Sequence, residues 1–311
     1  MAKAVLLLGP TASGKTALGV RLAHLFDAEI ISIDSALVYR GMDIGTAKPT
    51  KEEQEGIVHH LIDIRDPFES YSAADFFKDC ERLITEISAK GKLALIVGGT
   101  MLYAKALKEG LNQMPSSDLA VRRKIELEAQ AKGWPAMHEA LMKVDPQTAA
   151  RLHSTDAQRI SRALEVYLQT GQPISFYQHQ RSEGSEHTFL TLGLMPKDRA
   201  LLHERIEKRF LMMVQAGFLD EVKTLMTDSR FDRNWPSMRA VGYRQAIDYL
   251  LGEIDYDRFI LSGVAATRQL AKRQITWMRS MNDLIPIDPF IGDPYDKTHA
   301  LVSDFLKTEE I

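Results

Sequence analysis

The chain has 311 residues, 45% hydrophobic and 26% charged, which excludes a disordered or fibrous protein and leaves room for more than one domain. Nineteen glycines and 12 prolines without a three-residue period exclude a collagen-like or low-complexity chain. A formal charge of −3, from 39 Lys and Arg against 42 Asp and Glu, argues against coating nucleic acid through bulk positive charge. The single cysteine, Cys80, excludes an intramolecular disulfide and a cysteine-rich zinc module; it reads as a small buried hydrophobe in a reducing cytoplasm.

Taken in chain order, residues 4–8 read as a short buried strand. This run is too short to span a bilayer and leads into a glycine-rich turn, so neither a membrane nor a targeting segment is expected. Helical spacing resumes over residues 16–26, with Leu18, Leu22 and Leu25 on one face. Residues 29–33 form a second strand ending at Asp34, and a helical pattern over 73–90 precedes a third strand at 92–97, which ends at Gly98, Gly99 and Thr100. Strand and helix alternating in this way predict an α/β fold with a parallel sheet and covering helices.

The turn cluster MPSSD at 114–118 changes the pattern. Helices are predicted at 119–133, 135–144 and 156–170, with Pro135 at the first helical position of the second. A loop at 182–187 leads to a strand-like run at 189–194, and helices occupy most of the remainder. The expected organisation is a sheet core formed by 1–113 and 189–311, with an all-helical insertion at 114–188.

GPTASGKT at 9–16 fits G-x-x-x-x-G-K-[ST] between a buried strand and a helix, the setting a phosphate-binding loop (P-loop) requires. Gly9, Thr11, Ala12, Ser13 and Gly14 supply backbone that wraps oxygens, Lys15 a point charge and the Thr16 hydroxyl a magnesium ligand. The strand at 93–97 ends without the carboxylate of a nucleoside triphosphatase, and no guanine-reading Asn-Lys-x-Asp run occurs. A polyphosphate ligand is therefore expected, and hydrolytic switching is disfavoured.

Asp34 and Thr100 end strands beside this loop, where ligands bind in open α/β sheets. From position alone, Asp34 or Ser35 serves equally well as a helix cap or as a base.

With the phosphate loop, an ordered set of motifs resembles the bacterial tRNA dimethylallyltransferases. These are Asp34-Ser35 with Tyr39, GMDIGTAKP at 41–49, HLID at 60–63, GGTMLY at 98–103, RALE at 162–165, GYRQ at 242–245 and TRQLAKRQITWMR at 267–279. The resemblance implies transfer of a dimethylallyl group from its pyrophosphate to N6 of the adenine 3′ of the anticodon. It assigns the pyrophosphate to Ser13, Gly14, Lys15 and Thr16 with Mg²⁺, with Thr100 assisting and Arg209 as a further contact. Asp34 is then the candidate general base, acting on an adenine turned out of its stack.

The resemblance puts tRNA contacts at Asp34, Ser35, Ala36 and Leu37, at Gln158, Arg159, Ile160, Ser161 and Arg162, at Arg239, Gly242, Tyr243 and Arg244, and at Lys272, Arg273, Gln274, Trp277 and Arg279. Thr100 and Arg122 are further candidates. Leu37 departs from the glutamine common there, so no polar reading of the base carries over to it. Arg268, Lys272 and Arg279 fall on one helical face as a basic stripe that could track phosphates or simply be solvated. The expected partners are a tRNA anticodon stem-loop and dimethylallyl pyrophosphate, for a cytoplasmic monomer with no membrane contact.

Three features read as structural. The adjacent His59 and His60 point to opposite faces and lack a third ligand. Of Trp134, Trp235 and Trp277, only Trp277 lies beside basic residues. The run at 210–213, containing Phe210 and Met213, reads as helix packing. A small-molecule kinase and a nucleotide-dependent RNA-binding protein are the competing classes; the basic C-terminal helix argues against the first, and Asp34 with Thr100 against the second.

Overall fold

The computed structural model describes residues 1–112, 114–178 and 183–308. Six parallel strands form one sheet in the order β3-β2-β4-β1-β5-β6: β1 (Lys3–Leu8), β2 (Ala28–Ile33), β3 (His59–His60), β4 (Leu93–Gly98), β5 (Thr188–Leu194) and β6 (Ile285–Ile287). β2 and β4 are buried along their whole length, as strands covered on both faces must be. The two short edge strands, β3 and β6, are additions to the sequence reading. Pro286 is tolerated in β6 because an edge strand leaves one row of backbone groups unpaired.

The helices are α1 (Lys15–Leu25), α2 (Ala73–Ala89), α3 (Met101–Glu109), α4 (Leu119–Lys132), α5 (Trp134–Val144), α6 (Pro146–Ala149), α7 (Ala157–Thr170), α8 (Ile174–Gln178), α9 (Arg199–Gln215), α10 (Phe218–Met226), α11 (Tyr243–Leu250), α12 (Tyr256–Arg279) and α13 (Pro294–Lys307). α2 starts in a capping box between Ser72 and Asp75 and buries Phe76, Cys80, Leu83, Ile84 and Ile87 along one stripe. Cys80 is a core residue whose thiol is pushed up by burial. No helix among the described residues is long and apolar enough to cross a membrane.

The chain divides into two compact units, residues 1–105 with 186–311 and residues 106–185. The divisions at 105/106 and 185/186 lie earlier than the expected 113/114 and 188/189, the first of them inside α3. Ser182, in the expected loop, lies outside the described residues. In the first unit Val5, Leu7, Leu95 and Val97 of the sheet pack with Leu18 and Leu22 of α1. In the second, Ile125, Met137, Leu141, Ile160 and Leu164 form a separate helical core.

Sheet register determines where the loops converge. Gly98 pairs with both Leu8 and Ile33, so β1, β2 and β4 end level and Gly9, Asp34 and Gly99 share one edge.

Candidate active site

At that edge β1 turns through residues 9–14 into α1. Gly14 caps the helix at φ 89°, ψ 10°, a left-handed conformation in which a Cβ is strained. The first N–H groups of α1 have no intrahelical acceptor and sit at the positive end of the helix dipole, an arrangement that attracts phosphate oxygens. Lys15 Nζ folds back to the Pro10 carbonyl at 3.3 Å.

Two distant helices hold the loop. From α9, Arg205 Nε donates to the Ala12 carbonyl at 3.1 Å, and Arg209 Nη2 donates to Thr11 Oγ1. From α12, buried Gln274 accepts the Thr11 N–H at 3.0 Å and donates to the Gly99 carbonyl at 2.8 Å. The phosphate loop is thereby fixed to the end of β4.

Desolvation brings the Lys15 ammonium down to about 8, with the Arg209 charge adding to the effect and Asp34 opposing it. Arg209 is lowered chiefly by the same desolvation, while Asp34 raises it. Two cations and one carboxylate therefore share a site that is short of water, where added negative charge is welcome. Asp34 Oδ1 accepts the Ala36 N–H at 2.9 Å, which orients the carboxylate at the strand end. The Thr100 hydroxyl accepts the Ser35 N–H at 3.0 Å and so anchors the turn that carries Asp34.

Lys15, Asp34, Arg209 and Gln274 border a cavity of about 160 Å³. Its polar end comprises Thr11, Lys15, Thr16, Asp34 and Arg209. Ile206, Phe210, Met213, Val241 and Leu270 make it apolar elsewhere, and residues 45–47 form a further wall. Two cations, a carboxylate and a set of apolar side chains thus line one cavity.

Residues 37–281 match the family model described as IPP transferase. A tRNA dimethylallyltransferase of Ralstonia pickettii is 53% identical over 318 residues, covering 99% of this chain and 97% of that one. This chain belongs to the IPP transferase family. The crystal structure of the full-length tRNA isopentenylpyrophosphate transferase of Bacillus halodurans matches this IPP transferase at TM-score 0.71 and 39% identity, covering 98% of this chain and 96% of that one. A eukaryotic dimethylallyltransferase, captured in crystallographic snapshots acting on tRNA, matches at TM-score 0.81 and 27% identity, covering all of this chain and 81% of the other.

In this IPP transferase the residues expected at the phosphates are contiguous, but they do not act alike. Ser13 is buried, its N–H donates to the Pro10 carbonyl at 3.3 Å, and its hydroxyl has no hydrogen-bond partner among the described residues. Thr100 is not on the cavity wall, and its contact is with Ser35. Ala36 and Leu37 border the cavity beside Asp34.

Among the residues expected at RNA, Ser35, Arg239, Arg244, Lys272, Arg273 and Arg279 are exposed in the first unit, as are Gln158 and Arg159 in the second. Trp277 is 38% exposed, with the Lys105 ammonium 5.9 Å from its ring centroid. Others face inward. Gln274 is tied to Thr11 and Gly99, Tyr243 is a core residue bonded to Glu221, Gly242 is buried, and Ile160 belongs to the helical core. Arg268 leaves the anticipated basic stripe, because its Nη2 donates to Glu207 at 2.7 Å.

In the helical unit, Arg122 and Arg162 converge on the fully buried carboxylate of Glu165 at 3.1 and 2.8 Å. Ser117 Oγ and the Asp118 N–H complete its shell, both at 2.7 Å, while Ser161 beside Arg162 is half-buried.

Phe210 does pack in the core, against Phe218 and Phe259, and with the half-buried Met213 it also lines the cavity. The signal was available: Ile206, Arg209, Phe210 and Met213 follow helical i, i+3, i+4, i+7 spacing, so the apolar wall continues the stripe that carries the arginine. His60 bonds Glu29 at 2.7 Å, and among the described residues no group of three His, Cys, Asp or Glu could hold a metal by itself.

For magnesium the cavity offers the Thr16 hydroxyl, a hard oxygen donor beside the phosphate loop. It fits an ion that takes its remaining ligands from water and a bound diphosphate.

Proposed function

We propose that this IPP transferase moves a dimethylallyl group from dimethylallyl diphosphate to N6 of the adenine 3′ of the anticodon in tRNA, acting as a cytoplasmic monomer. The reading rests on one observation, the continuity of the cation-lined phosphate cradle, the apolar pocket and Asp34 in a single cavity.

The diphosphate lies against the amides of Gly14 and Lys15, within reach of Lys15 Nζ and Arg209. The Thr16 hydroxyl would hold a magnesium ion, which offsets negative charge on the diphosphate when bound, and Asp34 is left free as a base. The five-carbon chain extends along Phe210, Met213 and Val241.

As the allylic C–O bond breaks, its electron pair leaves with the diphosphate, and the preorganised cations stabilise the departing charge. The adenine N6 lone pair is delocalised into the ring, so attack on the allylic carbon needs its proton removed; Asp34 takes that proton as the N–C bond forms. Thr100 keeps the Asp34 turn in register through Ser35. An adenine in a stacked loop reaches this acid only when flipped out. Exposed Lys272, Arg273, Arg279, Arg239 and Arg244 hold the RNA backbone, and Gln158 and Arg159 serve the same purpose from the helical unit.

The test is to incubate the protein with an unmodified anticodon stem-loop and either dimethylallyl diphosphate or ATP, with mass spectrometry of the digested RNA. Prenylated adenine from the first mixture alone is expected; phosphorylated product from the second, or no prenylated base, would overturn the reading.

A further inference from the structure

The motif at 41–49 forms a loop whose end, residues 45–47, is a wall of the cavity. Three successive backbone amides of this loop point at one carboxylate, on α10. Glu221 Oε2 accepts the N–H groups of Asp43 and Ile44 at 2.8 and 2.7 Å, and Oε1 accepts that of Gly45 at 3.1 Å. Consecutive N–H groups turned the same way form a concave anion nest, here filled from within the chain.

The same Oε1 accepts the Tyr243 hydroxyl at 2.5 Å. Burial, then the Glu221 charge, raises the phenol well above its ordinary range, so it remains a donor. Tyr243 opens α11, and Val241, Gly242 and Tyr243 also line the cavity. One carboxylate thus joins two walls from separate parts of the chain.

Gly45 meets this arrangement from the other side, since a Cβ there would overlap the Phe218 and Tyr243 rings. Lys48, almost wholly buried, anchors the far end of the loop through Asp43 at 2.7 Å and Asp63 at 2.5 Å.

We propose that Glu221 is a positioning residue for the prenyl donor: by fixing residues 43–45 against Tyr243 it gives the apolar end of the cavity its shape, without touching the diphosphate. The inference deepens the proposed function and rests on it. The phosphate cradle is held independently by Arg205, Arg209 and Gln274, so loss of Glu221 should separate recognition of the chain from recognition of the diphosphate.

Calorimetric titration of wild type, Glu221→Gln and Gly45→Ala with dimethylallyl diphosphate and with inorganic pyrophosphate makes that separation measurable. The amide of Glu221→Gln fills the same space but cannot accept on its nitrogen, and Gly45→Ala displaces the loop while leaving the carboxylate intact. In both variants dimethylallyl diphosphate should bind about tenfold more weakly, the order expected from losing part of a charged hydrogen-bond set. Pyrophosphate affinity should stay within about twofold, which also reports a folded protein. In transfer assays, KM for the donor should rise while kcat and KM for the stem-loop hold.

Equal loss for both ligands, or a fall in kcat with unchanged donor KM, would assign Glu221 to general stability and overturn the proposal. A wild type that binds pyrophosphate but not dimethylallyl diphosphate would overturn the functional reading itself, and this inference with it.

Discussion

Gln274 bonds Thr11 and Gly99 with the two ends of one amide, at 3.0 and 2.8 Å, and so fastens the phosphate loop to the end of β4 from a helix more than 260 residues further along the chain. Both contacts are backbone groups that an alanine could not satisfy. Gln274→Ala should lower stability by about 1–3 kcal/mol, the cost of buried polar groups left without partners. Donor KM should rise as the loop loosens. Denaturant titration and steady-state kinetics check the two effects separately.

Asp34 carries the proposed proton transfer, and its Oδ1 accepts the Ala36 N–H at 2.9 Å. Asp34→Asn preserves that hydrogen bond while removing the base. Single-turnover transfer should slow by about 10²–10⁴-fold, the usual contribution of a positioned base. Stem-loop affinity should be nearly unchanged; no helix starts at Asp34 for it to cap, so a mutant that transfers at close to the wild-type rate would leave it only the turn bond to Ala36.

The Lys15 ammonium, near 8 instead of 10.5, gives the donor affinity a pH dependence. Only the charged form attracts diphosphate, so in the free protein the attractive charge is present below about pH 8 and is lost above it. Donor KM should climb towards tenfold per pH unit above that point, while the KM of Lys15→Ala stays flat over the same range and higher throughout. Titrations between pH 7 and 10 read this directly.

Glu165 makes a stability prediction for the helical unit. Burial drives its carboxyl upward, but hydrogen bonds from Arg162, Ser117 and Asp118 outweigh that and hold it below its ordinary 4.5. A folded value below the unfolded one adds stability that is present at neutral pH and lost on acidification below about 4.5. Glu165→Ala should cost about 1–3 kcal/mol, because Ser117 and the Asp118 N–H lose their acceptor while the partly exposed Arg122 and Arg162 can turn to water. Circular dichroism of the full chain during urea unfolding measures it.

The central strands and the phosphate loop were legible in the sequence because each is a local pattern. A run such as LALIVG at 93–98 has no polar alternation, as burial on both faces demands, and glycines with lysine before a helix have one common use. β6 was hidden by its length and by Pro286, and it is a strand only because β5 offers an edge. Glu221 and Gln274 escaped for another reason. Their roles depend on partners 176 and 263 residues away, and a single carboxylate or amide carries no local sign of which backbone it will meet. Arg268 fails the same way in reverse: its spacing with Lys272 is helical, yet Glu207 on α9 takes its charge.

The most direct test of the account is diffraction from crystals grown with a thiolodiphosphate analogue of dimethylallyl diphosphate, which cannot release its leaving group readily. The account predicts the diphosphate within hydrogen-bond reach of the Gly14 and Lys15 amides, the chain against Phe210 and Met213, and the allylic carbon on the Asp34 side. An isoprenoid bound outside this cavity, or a diphosphate that leaves the Gly14 and Lys15 amides untouched, would contradict it.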